Sequence, residues 1–159
     1  MPAGEELARR LAADVPDPEL PFLTLGDLGI LRRVEVGLEG TVRVVLTPTY
    51  SGCPAVSQMA DDVRRTLMDA GFPAVQVDTE LAPAWSTDRL GPQARAKMEA
   101  MDLAPPPLAA STPISLTLKC PHCGSLRTRE LSHFGSTACK SLWRCQDCRE
   151  PFEHFKALR

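Results

Sequence analysis

The apolar pattern of this sequence predicts an α+β fold, a small mixed sheet backed by helices, followed by a small metal-stapled β module. Three observations carry that reading. Val34, Val36 and Leu38, then Val42, Val44 and Leu46, alternate with polar or small residues on either side of Glu39-Gly40. Val56, Met59, Ala60, Val63 and Leu67 recur at helical spacing between Pro54 and Ala70. Farther on, Cys120/Cys123 and Cys145/Cys148 form two Cys-x-x-Cys pairs.

Taken in order, a first helix is expected over Glu5 to Ala13, with Leu7, Ala8 and Leu11 on one face. It cannot continue through Pro16, Pro18 and Pro21, because proline lacks a donor N–H and clashes with the preceding turn. The two alternating runs make a hairpin with one buried face and a turn at Glu39-Gly40. The main helix over Pro54 to Ala70 stops at Gly71. Val75, Val77, Thr79 and Leu81 read as a third strand, and Pro92 to Met101 as a last helix. In the tail, Leu126 to Leu131 and Leu142 to Arg144 supply strands.

Charge divides the chain in two. Up to Ala104 there are 10 Lys/Arg against 16 Asp/Glu; from Pro105 onward there are 8 against 4. Residues 105–115 contain four prolines among small residues and read as a semi-rigid linker between residues 1–104 and 116–159. With 43% hydrophobic and 24% charged residues the composition is that of a soluble globular protein. No apolar run approaches the roughly 18 residues of a membrane span. The start, Met1 to Glu6, is acidic where an export signal is basic and then apolar, so a cytoplasmic protein is expected. In that compartment six cysteines imply metal or redox chemistry rather than disulfides.

The two Cys-x-x-Cys pairs make two knuckles whose thiolates converge on one ion, the pattern of a closed four-cysteine zinc ribbon with one structural zinc per chain. A module of about 40 residues buries too little core to fold without such a staple. The thiolates alone leave iron open as the metal. Gly124 suits a left-handed position after the first knuckle; Arg149 is the less comfortable occupant of the second. Cys139 is an additional thiol, either packed or a reactive or alternative ligand. Phe152 and Phe155 are expected to pack on the ribbon. The ribbon's cations form no dense run, so an acidic protein surface suits them as well as nucleic acid, which is disfavoured.

Cys53, just before Pro54, is placed at or near the N-cap of the main helix. There the macrodipole favours thiolate and should lower its pKa, making it a ligand for soft metal. The alternative is a small buried hydrophobe. Asp17 and Glu19, on the proline-stiffened loop, either assist a metal at Cys53 or bond their own backbone.

Asp17-Pro18-Glu19, Leu25-Gly26-Asp27-Leu28-Gly29-Ile30, Thr47 to Pro54 and Ala84-Trp85-Ser86-Thr87-Asp88 resemble the iron–sulfur assembly domain family that includes SufT-type proteins. With Phe134 to Lys140, Arg144-Cys145 and Arg149 to Phe152, the whole looks like the small accessory subunits of the bacterial phenylacetyl-CoA epoxidase system. That resemblance implies a non-catalytic role in aerobic phenylacetate degradation. The partners would be the reductase and oxygenase components, and Cys53, Asp17 and Glu19 would handle transient iron or an iron–sulfur cluster. A structural adaptor with an inert Cys53 is the second reading, and an independent thiol-redox or nucleic-acid module the third. A homo-oligomer stays open.

Overall fold

The computed structural model describes residues 2–107 and 117–157. Most of the expected linker, residues 108–115, therefore lies outside the described residues. The chain forms two compact units, Met1–Trp85 and Ser86–Arg159.

In the first unit, α1 (Pro2–Ala13) precedes β1 (Leu31–Val36), β2 (Val42–Leu46), α2 (Val56–Asp69) and β3 (Val75–Thr79). The sheet has the order β1-β2-β3, with β1 antiparallel and β3 parallel to β2, so it is mixed as expected. Val34, Val42, Val44, Val45 and Leu46 are buried, and α2 presents Met59, Val63 and Leu67 to the core. Helix α1 contributes Ala8 and Ala12, two small residues that let it lie close. Leu38, expected on the buried face of the hairpin, is instead fully exposed. Strand β1 ends at Val36, and the turn closes through Gly37 N–H to Thr41 O (2.8 Å) and Gly40 N–H to Gly37 O (3.0 Å). Gly40 takes a φ of 79°, which that turn requires.

Much of the remaining core comes from the irregular segment between α1 and β1. Leu20, Leu23, Leu25, Leu28 and Ile30 are all buried. Prolines deny this segment a regular ladder, so its backbone groups find local partners. Thr24 and Asp27 cap each other's N–H groups at 3.0 and 3.1 Å, and Leu25 N–H donates to Val15 O at 2.8 Å. Gly26 is needed for close approach, since a Cβ there would stand 3.1 Å from the Ala13 carbonyl oxygen. Trp85 closes the unit: it is buried and its indole N–H donates to Leu28 O at 2.7 Å.

The second unit holds a short 3-10 turn, Thr87–Arg89, then α3 (Pro92–Ala100), β4 (Leu103–Ala104), β5 (Thr128–Ser132), β6 (Lys140–Cys145) and β7 (Pro151–Phe155). The four strands form one sheet in the order β4-β7-β6-β5. The structure thus draws α3 and β4, expected in the first domain, into the second. The physical reason is strand pairing: β4 runs parallel to β7, and His154 Nδ1–H donates to Ala104 O at 3.0 Å. Burial holds the His154 pKa below its ordinary value, partly offset by that carbonyl, so the ring is a neutral fastener. Trp143, Phe152 and Ala104 pack around Cys120 and Cys145, and Phe155 is fully buried, as expected of the two phenylalanines.

Trp85→Phe keeps most of the apolar bulk and leaves the buried Leu28 carbonyl without its donor. Denaturant unfolding of the first unit should show a loss of about 1–3 kcal/mol, the cost of an unsatisfied buried group.

Candidate functional site

The four paired cysteines meet. Their Sγ atoms all lie within 4.8 Å of one another, with Cys120–Cys148 at 3.7 Å and Cys123–Cys145 at 3.5 Å. A tetrahedral zinc with Zn–S bonds of roughly 2.3 Å separates its sulfurs by about 3.8 Å, so these residues fit that ion. The two knuckles are built alike. Cys120 N–H donates to Ser125 O at 2.8 Å and Cys145 N–H to Glu150 O at 3.0 Å. Ser125 N–H donates to the Cys123 sulfur, Glu150 N–H to the Cys148 sulfur, and the Asp147 and Cys148 N–H groups to the Cys145 sulfur. Each knuckle turns through a left-handed residue, Gly124 at φ 77° and Arg149 at φ 66°.

Without an ion, the two thiols of the second knuckle have pKa values that move in opposite directions. Burial pushes Cys145 up, but the Cys148 and Asp147 N–H groups and the neighbouring Cys123 and Cys148 thiols outweigh it and bring it to about 6. Cys148 moves the other way: the Glu150 N–H favours its thiolate, yet burial and the other three sulfurs hold it up at about 12. A divalent cation removes that conflict. Asp147, between the ligands of the second knuckle, clamps the first by accepting from Ser125 Oγ and from Arg127 at 2.7 Å. No motif in the sequence singles it out.

Cys139 lies outside this cluster. It is buried, its Sγ is 3.0 Å from Thr137 Oγ1, and its carbonyl accepts from Lys156 N–H at 2.9 Å.

Cys53 occupies the first unit, in the loop from β2 to α2. The helix begins at Val56 with Ala55 as its N-cap, so Cys53 stands two residues ahead of the cap rather than on it. The residue is 7% exposed, and its sulfur accepts from Ala55 N–H and from the Tyr50 hydroxyl. The expected lowering of its pKa does not hold. Burial pushes the thiol up, the two hydrogen bonds oppose this, and the charges of Glu19 and Asp17 raise it further. Desolvation and the two carboxylates outweigh the hydrogen bonds from Ala55 N–H and the Tyr50 hydroxyl. Asp17 is itself buried and its Oδ1 accepts from Glu19 and Leu20 N–H, both at 2.8 Å. The structure therefore sets Asp17 and Glu19 within electrostatic reach of Cys53. Their ligand atoms do not converge as the ribbon sulfurs do: among the described residues, those four cysteines form the one group of three or more Cys, His, Asp or Glu arranged to hold a metal ion. Tyr50 lies in the segment from Thr47 to Pro54, but nothing in that segment's spacing marks it as a donor to the thiol.

Comparison with known proteins matches residues 9–79 to the iron–sulfur cluster assembly protein family and residues 104–156 to the PaaD zinc beta ribbon domain. The chain is 44% identical over 149 residues to a putative 1,2-phenylacetyl-CoA epoxidase subunit of Escherichia coli (strain K12), covering 93% of this chain and 90% of that one. It is 35% identical over 91 residues to an Fe-S protein maturation auxiliary factor of Porphyromonas gingivalis, covering 57% and 86%. Among solved structures, a domain of unknown function (DUF59) from Bacillus anthracis superposes with a TM-score of 0.57 at 25% identity, over 61% of this chain and 92% of that one. The fold and the sulfur cluster thus define an iron–sulfur assembly domain joined to a zinc beta ribbon. The chain belongs to the PaaD family, which it shares with the Escherichia coli protein.

Two measurements check this geometry. Cys120→Ser or Cys148→Ser should release the ion and unfold the second unit while the first keeps its far-UV signal; metal retained by both variants would contradict the cage. Arg149→Gly removes a side chain from a left-handed backbone and should stabilise the second unit by about 1 kcal/mol in denaturant. For Cys53, a raised pKa means that the folded state holds its proton while the unfolded state releases it. Stability contributed below the ordinary thiol value of 9.0 is lost as pH rises above it. Wild type should therefore lose stability relative to Cys53→Ala as pH rises through and beyond that value, as read by thermal unfolding.

Proposed function

We propose that this protein is a non-catalytic accessory subunit of a phenylacetyl-CoA epoxidase system that helps to mature the iron–sulfur cluster of the reductase component through Cys53. The family assignment supports the pathway, and relatives named as maturation factors support the role. The observation that carries the site is the charge around Cys53. The same two carboxylates that raise the thiol's pKa favour a cation beside it. Iron, as cargo, would displace the thiol proton and release it to solvent, so binding becomes weaker as pH falls. One thiolate with carboxylate neighbours binds soft metal and can give it up. The four-sulfur cage has the opposite design, and we assign it a structural zinc that keeps the ribbon folded.

Burial of Cys53 favours a second reading, a structural adaptor between oxygenase and reductase with an inert thiol. Reductase purified anaerobically from cells making Cys53→Ser separates the two. The maturation reading expects reduced iron and sulfide in the reductase, with zinc content and fold of the variant unchanged. Asp17→Asn keeps an acceptor for the loop N–H groups while removing the charge, and should give a smaller effect of the same sign. Normal reductase clusters beside a lowered melting temperature of Cys53→Ser would establish the adaptor.

A further inference from the structure

Arg129, Arg144 and Arg149 line one open depression of about 330 Å³ on the second unit, together with Cys145 and Gln146. All three arginines are exposed, and among the described residues none makes an ion pair. Arg129 and Arg144 are direct cross-strand partners on β5 and β6, where like charges repel. Arg144 Nε donates to Arg149 O at 3.1 Å, which holds the third guanidinium's backbone at the same place. Of the four acidic residues of the ribbon, three face other groups, and the fourth, Glu150, follows Arg149 directly and makes no ion pair among the described residues. Asp147 is held by Arg127 and Ser125 and Glu153 by Ser136 and Lys140, while Glu130 lies 3.6 Å from the exposed His133 ring. Arg149 carries a backbone strain as well: it sits at φ 66° where the equivalent position of the first knuckle has Gly124.

We propose that this arginine triad is a docking site for an acidic segment of a partner protein, which supplies two or more carboxylates. Guanidinium forks donate to carboxylates in bidentate pairs, and uncompensated repulsion within the triad is relieved when they arrive. A phosphate site would add a nest of backbone N–H groups, but here most of them are committed. Gln146 N–H donates to Arg127 O at 2.7 Å and Cys145 N–H to Glu150 O, while those of Asp147, Cys148 and Glu150 go to ligand sulfurs. Nucleic acid calls for a longer basic track than three residues in one depression. The site is independent of Cys53 and of the maturation reading.

The test uses the full zinc-loaded chain, with poly-L-glutamate, pyrophosphate and a single-stranded oligo-dT as probes at one ionic strength, followed through the arginine Nε–H NMR signals. Poly-L-glutamate should shift the signals of the three arginines and bind most tightly. Arg144→Glu and Arg129→Glu should each weaken it at least tenfold, and Arg149→Gly at least threefold while raising the melting temperature. Lys119→Glu, the same charge change elsewhere on the unit, should cost less than twofold. Should Arg144→Glu lose zinc, Arg129→Glu, which is not adjacent to a ligand, decides. Equal losses in Lys119→Glu and Arg129→Glu, or tighter binding of pyrophosphate or oligo-dT, would overturn the proposal.

Discussion

Four sulfurs within 4.8 Å of one another cannot all ionise unless a cation neutralises them, and the second unit is arranged around that constraint. Cys120 and Cys145 are themselves core members, packed with Trp143, Phe152 and Ala104. The sheet takes strands from both sides of the ligands: β5 follows the first knuckle, while β6 ends at Cys145 and β7 begins after the second. Each knuckle's backbone donors aim at the sulfurs and so support negative charge there. An ion that satisfied the sulfurs would also fasten the sheet and so couple metal binding to folding.

The same electrostatic rule acts in the first unit with a different outcome. Cys53 is one thiol, buried, beside two carboxylates, and its proton is held rather than shed. The packing of this unit comes from its sheet, α2 and the leucines of the loop after α1. In the proposed function, one unit locks an ion into its own fold, while the other stands without an ion and exchanges a thiol proton for one. A carrier requires that separation, because cargo that stabilises the fold is held too tightly to leave.

How much of this was legible depended on whether local pattern or long-range pairing decided each feature. The hairpin, α2 and both knuckles follow from spacing alone, and the discomfort foreseen for Arg149 is visible as its left-handed φ. Strands β4 and β7 escaped. Leu103–Ala104 is two residues long and runs into three prolines, so it reads as the end of the first domain until β7 is seen to pair with it. Pro151 opens β7, where a missing N–H is tolerated, and hid a strand behind what looks like a turn residue. For Cys53, the spacing placed a thiol near a helix start. It could not show that α2 begins three residues later, nor that Asp17 and Glu19 come close enough to help reverse the expected pKa shift.

The proposed division, with iron cargo in one unit and structural metal in the other, is open to direct measurement. Zinc-loaded wild type and Cys53→Ser are titrated anaerobically with ferrous iron, and both metals are quantified after free metal is removed. Wild type should take up iron while zinc stays near one equivalent per chain, and Cys53→Ser should lose the iron and keep the zinc. Iron that enters at the expense of zinc, or that binds equally well without the Cys53 thiol, would show the division to be wrong.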